Sequence, residues 1–346
     1  MYSSYSSLQQ SQLAAQGYYD TQSTYLLVYA PGRSTALRAT LADQLHRKFR
    51  LADTLGSALT EGVDGVLLVS EDVECMSTAL MCFAKALQDG ADYAVCNAVF
   101  GFGGATALYQ SRAHLAQNRC ALVSRPLLER CRAAAKDPEN VTELLALAAQ
   151  FCAHPARIPQ ALLHYERDIC AEDAFSATGK RAFLMSHVLD MTGAPIVLVS
   201  AVPVLRSMGY EVVVLGPSDG GALQLFVDAG AAVITRPGIR ATPNLWGLAL
   251  CTDLVLVNTV VMARTVRALS GTAVPVLWWL HDAFAGYPHI AHQIPTKLAE
   301  NVRLYSVGHH AANAMHAVRP DFQIGQLIYG LPDYAAEDFP RCDLGY

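Results

Sequence analysis

The sequence predicts an α/β protein with two domains, the second built on a Rossmann-like parallel sheet flanked by helices. Its 346 residues are 52% hydrophobic and only 16% charged, which is enough apolar material for two ordinary cores. Short apolar segments alternate with helix-like segments over residues 181–237, and this alternation is typical of parallel strands joined by crossover helices. Polar and small residues fill positions 168–179, which favours a linker there.

Apolar runs and the residues between them predict the strands and helices of the second half. The strands are expected over residues 182–188, 210–215, 231–235, 253–258, 274–281 and 301–308. After the first strand comes the loop 190–195 and then a helix that Gly209 ends. The segment 219–221 opens the next helix. Three strands with two crossover helices make a half-Rossmann unit.

The first half is predicted to be mixed in structure. Strands are expected over residues 25–29 and 65–70, helices over 8–16, 36–47 and 141–152, and a flexible loop over 101–104. Together with the linker, this division gives a first domain over residues 1–170, a linker over 171–179 and a second domain over 180–346.

Composition excludes several classes of function. The formal net charge is −5 and no run of lysine or arginine occurs, which argues against a nucleic-acid partner. Nine cysteines occur without a C-x-x-C pair, which indicates reduced thiols and a cytoplasmic protein. We expect no transmembrane segment, because the longest apolar run, 194–205, is too short to span a bilayer. Peripheral contact with the inner membrane face stays compatible with this composition.

Four motifs in the second half carry a resemblance to a known family. They are Ser186-His187, Thr192-Gly193-Ala194-Pro195, Gly209-Tyr210-Glu211-Val212 and Trp278-Trp279-Leu280-His281-Asp282. They resemble the N-terminal domain of GT-B glycosyltransferases of family four. Residues 301–308 and 327–333 resemble the last strands before the interdomain linker of that family. In these enzymes the donor site lies in a second Rossmann domain, and the sequence ends at Tyr346 before such a domain begins. We therefore expect a fragment of a longer transferase, or a chain that self-associates or pairs with a separate Rossmann domain.

The resemblance implies a site at the carboxyl edge of the second sheet. It places His281 in the cleft near the transferred sugar, where Asp282 would orient the ring or contact an acceptor hydroxyl. The candidates for binding the donor or acceptor are His187, Thr192, Gly193 and Ala194. Backbone amides at the helix start after Gly193 can meet a phosphate or a sugar hydroxyl. The structural alternative is that Thr192 only caps the helix and Gly193 packs on the sheet. Without a G-x-G-x-x-G fingerprint, an NAD-dependent oxidoreductase is a minor alternative.

The first half is similar to the GT-A domain of glycosyltransferase family two. The similarity is carried by residues 49–59, by the strand and acidic cluster 63–74, and by 157–167, which resembles the ending of such domains. It implies a mixed sheet and a Mg²⁺ or Mn²⁺ site at Asp72 and Glu74, two acids whose carboxylates point the same way in extended chain. The alternative is an acidic turn before a helix that Ser77 caps.

Two features depart from this second family. Its domains begin with a strand ahead of the helix expected at 8–16, and no such strand is predicted here. A carboxylate general base is also needed, and three residues stay open for that role: Asp137, Glu139 and Glu143.

Two functions of different classes follow from these patterns. The first is sugar transfer from a nucleotide-diphosphate donor to a glycan or lipid-linked acceptor in bacterial polysaccharide assembly. The alternative is a non-catalytic module of degenerate transferase domains that binds a glycan or docks onto a partner. The histidines between 289 and 316 complete no known metal spacing, so we assign no metal to them.

Overall fold

The computed structural model describes residues 18–32, 35–56, 59, 62–101, 106–110, 119–175, 179–218, 220–236 and 247–329. The helix predicted at 8–16, most of the loop 101–104, Asp219 and residues 330–333 lie outside the described residues. The fold is mixed α/β, as predicted, with a mixed sheet followed by an all-parallel sheet flanked by helices.

The first part of the chain forms a mixed sheet. Its strands are β1 (Leu26–Tyr29), β2 (Phe49–Ala52), β3 (Gly65–Val69), β4 (Glu74–Cys75), β5 (Tyr93–Gly101), β6 (Thr106–Gln110), β7 (Cys120–Ser124) and β8 (Pro155–Asp168). Its helices are α1 (Thr35–Leu41), α2 (Ala79–Gln88), α3 (Arg125–Ala134), α4 (Val141–Phe151) and α5 (Ala171–Ala174). All five residues of β3 are buried, since apolar layers cover the sheet on both faces.

Strand β1 lies at the centre of the parallel part of this sheet. The strand lies between β2 and β3 and pairs with both in parallel, and α1 makes the crossover to β2. The order β2-β1-β3 is that of a doubly wound nucleotide-binding sheet, in which the central strand comes first in the chain. The strand that the resembled family would place ahead of residues 8–16 falls outside the described residues, so its absence stays a prediction.

The described residues of the second part form seven parallel strands. They are β9 (Lys180–Met185), β10 (Tyr210–Gly216), β11 (Ala232–Thr235), β12 (Leu254–Asn258), β13 (Val276–Leu280), β14 (Val302–Ser306) and β15 (Ile324–Gln326). The helices are α6 (Gly193–Ser207), α7 (Ala222–Asp228), α8 (Ala263–Leu269) and α9 (His309–His316). The strands lie in the order β11-β10-β9-β12-β13-β14-β15, which is the Rossmann order with one strand added. No described helix combines the length and apolar content needed to cross a bilayer.

A strand pair joins the two parts into one continuous sheet. Strand β6 pairs antiparallel with β11, with Tyr109 opposite Ile234, while its other edge pairs with β5. The pairing covers the edge that β11 would otherwise expose. The predicted linker region contains α5, and its Asp173 is buried against the first part rather than exposed to solvent.

Among the predicted elements that end earlier in the structure, two end where a side chain bonds to the backbone beyond them. The helix predicted to reach residue 47 ends at Leu41, and Gln44 beyond it donates to the carbonyl of Met76 and accepts from the amide of Leu80. The strand predicted to reach residue 188 ends at Met185, because the Ser186 hydroxyl donates to the carbonyl of Val188 at 2.6 Å. That bend positions His187 for the site.

Candidate functional site

The carboxyl ends of β9, β12 and β13 lie side by side in the sheet. The chain order of the strands reverses between β9 and β12, since β10 lies on one side of β9 and β12 on the other. In open α/β sheets, ligands bind in the crevice at such a switch point. The structure brings His187, His281 and Asp282 to this edge, as the sequence predicts.

Thr259 is the residue that shapes the centre of the edge. Its φ of 71° is the only positive value among the described non-glycine residues, and a β-branched side chain in that conformation costs on the order of 1–3 kcal/mol. Three hydrogen bonds hold it. Its amide donates to the carbonyl of Trp279 at 2.8 Å, its carbonyl accepts from the Trp278 indole at 2.8 Å, and its hydroxyl lies 3.3 Å from Nδ1 of His187. Backbone strain held in this way is typical of functional sites.

His281 presents a neutral imidazole at this edge. Burial, with a smaller contribution from the nearby His187, lowers its pKa to about 4. The ring packs on that of Trp279 with 4.7 Å between centroids. Its Nε2 atom is buried and has no hydrogen-bond partner among the described residues. A neutral imidazole can exchange a hydrogen bond with a hydroxyl group of a ligand.

Asp282 and Tyr287 form the next part of the site. The Asp282 carboxylate accepts a hydrogen bond from the amide of Val260 at 2.6 Å, and burial raises its pKa more than this and other backbone bonds lower it. The Tyr287 side chain is fully buried, and its hydroxyl has no hydrogen-bond partner among the described residues. Burial raises the pKa of Tyr287, and the charge of Asp282 adds to the shift, so the phenol stays protonated.

The loop before α6 connects to the same edge through Asn258. The Asn258 amide donates to the carbonyl of Ala194 at 3.0 Å, while its own Oδ1 is buried without a partner in the described part of the chain. Thr192 makes no side-chain cap bond, and a Cβ added at Gly193 would meet nothing within 4 Å. The first turn of α6 is therefore open to a ligand, and the packing of Gly193 on the sheet is not observed.

Sequence reasoning missed three residues of this site. Asn258 and Thr259 follow the apolar strand segment 254–257, and a polar pair directly after such a strand is the signal that selected His187 and His281. Tyr287 has no comparable signal. It lies in an irregular segment after β13, and only the tertiary structure buries its hydroxyl.

The two acids predicted to bind a metal lie in the first part of the chain and contact different elements. The Asp72 carboxylate accepts from the amides of Ala36 and Leu37, at 3.2 and 3.1 Å, at the start of α1. Glu74 lies 2.7 Å from Nδ1 of His164. Among the described residues, no group of three or more potential ligands converges. The two carboxylates therefore bond to different elements in this structure, and the metal site stays a prediction.

The three candidate general bases all bond to the backbone near α4. Glu139 accepts from the amide of Leu55 at 2.7 Å and from the Tyr29 hydroxyl at 3.2 Å. Glu143 accepts from the amides of residues 136 and 137, and Asp137 accepts from the amide of Glu139. These bonds give all three acids a structural role in turns.

Comparison with known proteins bears on the second part of the chain. Residues 178–316 match the model of Glycosyl-transferase family 4. This match covers about two fifths of the chain and contains the whole edge from His187 to Tyr287. No curated protein and no solved structure matches the chain. The family match and the GT-B-like parallel sheet support a glycosyltransferase.

Proposed function

We propose that the chain takes part in sugar transfer from a nucleotide-diphosphate donor to a hydroxyl of a glycan or lipid-linked acceptor in polysaccharide assembly. The carboxyl edge of the second sheet would hold the reacting sugar. One observation carries the proposal: His281, whose Nε2 has no partner among the described residues, lies beside the partly buried Asp282 inside the segment that matches the transferase family. The proposed setting is the cytoplasm, with peripheral access to the inner membrane face for a lipid-linked acceptor.

Sugar transfer requires the acceptor hydroxyl to lose a proton as its oxygen bonds to the sugar carbon and the bond to the departing diphosphate breaks. The raised pKa of Asp282 makes its carboxylate a stronger proton acceptor than an exposed aspartate. The neutral His281 would donate a hydrogen bond to a sugar oxygen. The open first turn of α6, at Gly193, would meet an oxygen of the diphosphate or of the sugar.

The first part of the chain is proposed to be a GT-A-like nucleotide-sugar unit. Its β2-β1-β3 order supports this, because nucleotides bind at the carboxyl ends of such strands. A Mg²⁺ or Mn²⁺ ion would bind Asp72 and Glu74 there, two acids that bond to α1 and to His164 in this structure. No step of the proposed reaction depends on that ion.

A non-catalytic glycan-binding or partner-docking module is the second candidate. It is favoured by the structural bonds of Asp72, Glu74 and Glu139, which engage the acids that a GT-A enzyme would use for metal binding and base catalysis. This candidate predicts affinity for a glycan without turnover.

The test is a transfer assay of the purified chain with UDP-, GDP- and dTDP-sugars and a panel of glycan acceptors. Asp282→Asn should lower turnover by about 10²–10⁴-fold, the usual contribution of a proton-accepting group. Asp253→Asn is the matched control, because the Asp253 carboxylate also accepts one backbone amide, that of Arg181, at the opposite end of β12. Equal turnover in both variants contradicts the role of Asp282. Glycan binding without any turnover in the wild type favours the second candidate.

A further inference from the structure

We propose that the amino end of α9 binds a phosphate group, at a place separate from His281 and Asp282. Helix α9 follows β14 at the same carboxyl edge of the sheet. The proposal is that this site holds the phosphate of a substrate while the sugar lies nearer β9 and β13. Its assignment to a substrate rests on the proposed sugar transfer, whereas phosphate binding itself does not.

Within the described part of the chain, the first turn of α9 has no side-chain cap. Gly308 occupies the cap position and makes no cap bond, and no acidic residue lies within that turn. The first amides of a helix have no partner inside the helix, so a cap, water or a ligand must accept from them. A Cβ added at Gly308 would meet nothing within 4 Å, which shows that the space beside these amides is open.

A buried hydroxyl lies beneath this turn. Ser306 is the last residue of β14, it is 0% exposed, and its Oγ has no hydrogen-bond partner among the described residues. Alternation along the strand places Ser306 on the same face as Leu304, whose side chain packs in the apolar cluster that contains Ala311 and Met315 of α9. The hydroxyl therefore faces the helix, three positions before its first residue. Buried hydroxyls are nearly always hydrogen-bonded, so this one needs an acceptor, and a ligand oxygen at the helix terminus would supply it.

Two histidines complete the donor set. His309 and His310 are the first residues of α9, both are exposed, and their ring centroids lie 4.2 Å apart. Helix amides, a serine hydroxyl and imidazole N–H groups are all hydrogen-bond donors, and the positive end of the helix dipole adds attraction for an anion. Phosphate oxygens accept from this combination of groups.

The site is tested by titration calorimetry with inorganic phosphate, UDP and farnesyl phosphate. In Gly308→Asp, the new carboxylate would cap the free amides and repel the anion, so binding should weaken at least tenfold. The variant should fold, because Gly308 has extended backbone with φ 175° and open space at Cβ. Gly308→Ala is the matched control and should bind like the wild type, since it adds a methyl group without an acceptor.

The three probes also distinguish the source of the phosphate. Weaker UDP binding alone in Gly308→Asp assigns the site to the donor, and weaker farnesyl phosphate binding alone assigns it to a lipid-linked acceptor. Equal affinities in Gly308→Asp and Gly308→Ala for every probe overturn the proposal, even if sugar transfer is observed. A tenfold loss in Gly308→Asp supports it even if the transfer assay fails.

Discussion

Replacing Arg167 by methionine should destabilise the protein strongly, because this arginine anchors the segment between the two parts of the chain. Its guanidinium donates to both carboxylate oxygens of Asp173, at 2.6 and 2.8 Å, and to Glu71 at 2.6 Å. It also lies over the rings of Phe100 and Tyr165, 5.3 and 5.6 Å from their centroids. The Asp173 side chain is only 2% exposed, so the substitution removes the main partner of a buried charge.

The size of the stability loss depends on the partners that Asp173 retains in the variant. Removing one partner of a buried ion pair costs about 3–5 kcal/mol. Asp173 still accepts from the amide of Cys170 and lies 3.6 Å from Arg119, so we expect a loss of about 2–3 kcal/mol in the free energy of unfolding. The matched control is Arg125→Met, which breaks the exposed pair with Glu129 and should cost about 0.3–0.5 kcal/mol.

Urea denaturation followed by circular dichroism measures both losses, and pH gives a second test. Burial alone would raise the pKa of Asp173, but hydrogen bonds from Arg167 and Cys170 outweigh it, so its pKa is lowered in the fold. Such a group stabilises the fold above its unfolded pKa of about 3.9, and this contribution is lost as pH falls through the folded pKa. The deficit of Arg167→Met should therefore shrink in acid. Equal losses in the two arginine variants at pH 7 would refute the reasoning.

Two further predictions concern the second part of the chain. In Gly220→Ala, the new Cβ would lie 2.3 Å from the carbonyl oxygen of Leu189, so the backbone before α6 must move, and thermal melting should show a loss of about 1–3 kcal/mol. In Gly193→Ala the new Cβ meets no atom within 4 Å, so this variant should melt like the wild type while binding nucleotide sugar more weakly. An equal loss of thermal stability in Gly193→Ala and Gly220→Ala contradicts this prediction. The lowered pKa of His281, about 4 against 6.5, makes stability fall as pH drops from about 6.5 to 4 and leaves it unchanged above that window. His281→Asn should remove up to about 3 kcal/mol of that pH dependence, and a wild-type slope in the variant would contradict the shift.

The sequence by itself determined the fold class and most strands of the second part. Short β-branched runs such as 210–215 favour buried strands, and their alternation with helices favours parallel pairing. The same local rule placed His187 and His281 at the carboxyl edge, because each follows an apolar strand. The family resemblance to GT-B enzymes of family four is supported by the match over residues 178–316.

The tertiary structure alone decided how these residues are held. The contact of His187 with Thr259 joins positions 72 apart, and the positive φ of Thr259 depends on two tryptophans from the next strand. The capping of α1 by Asp72 and the pairing of β6 with β11 are likewise long-range. Local sequence patterns determine which face of a helix or strand is apolar. Hydrogen bonds between distant elements depend on how those elements pack, and the periodicity of a single segment does not predict that packing.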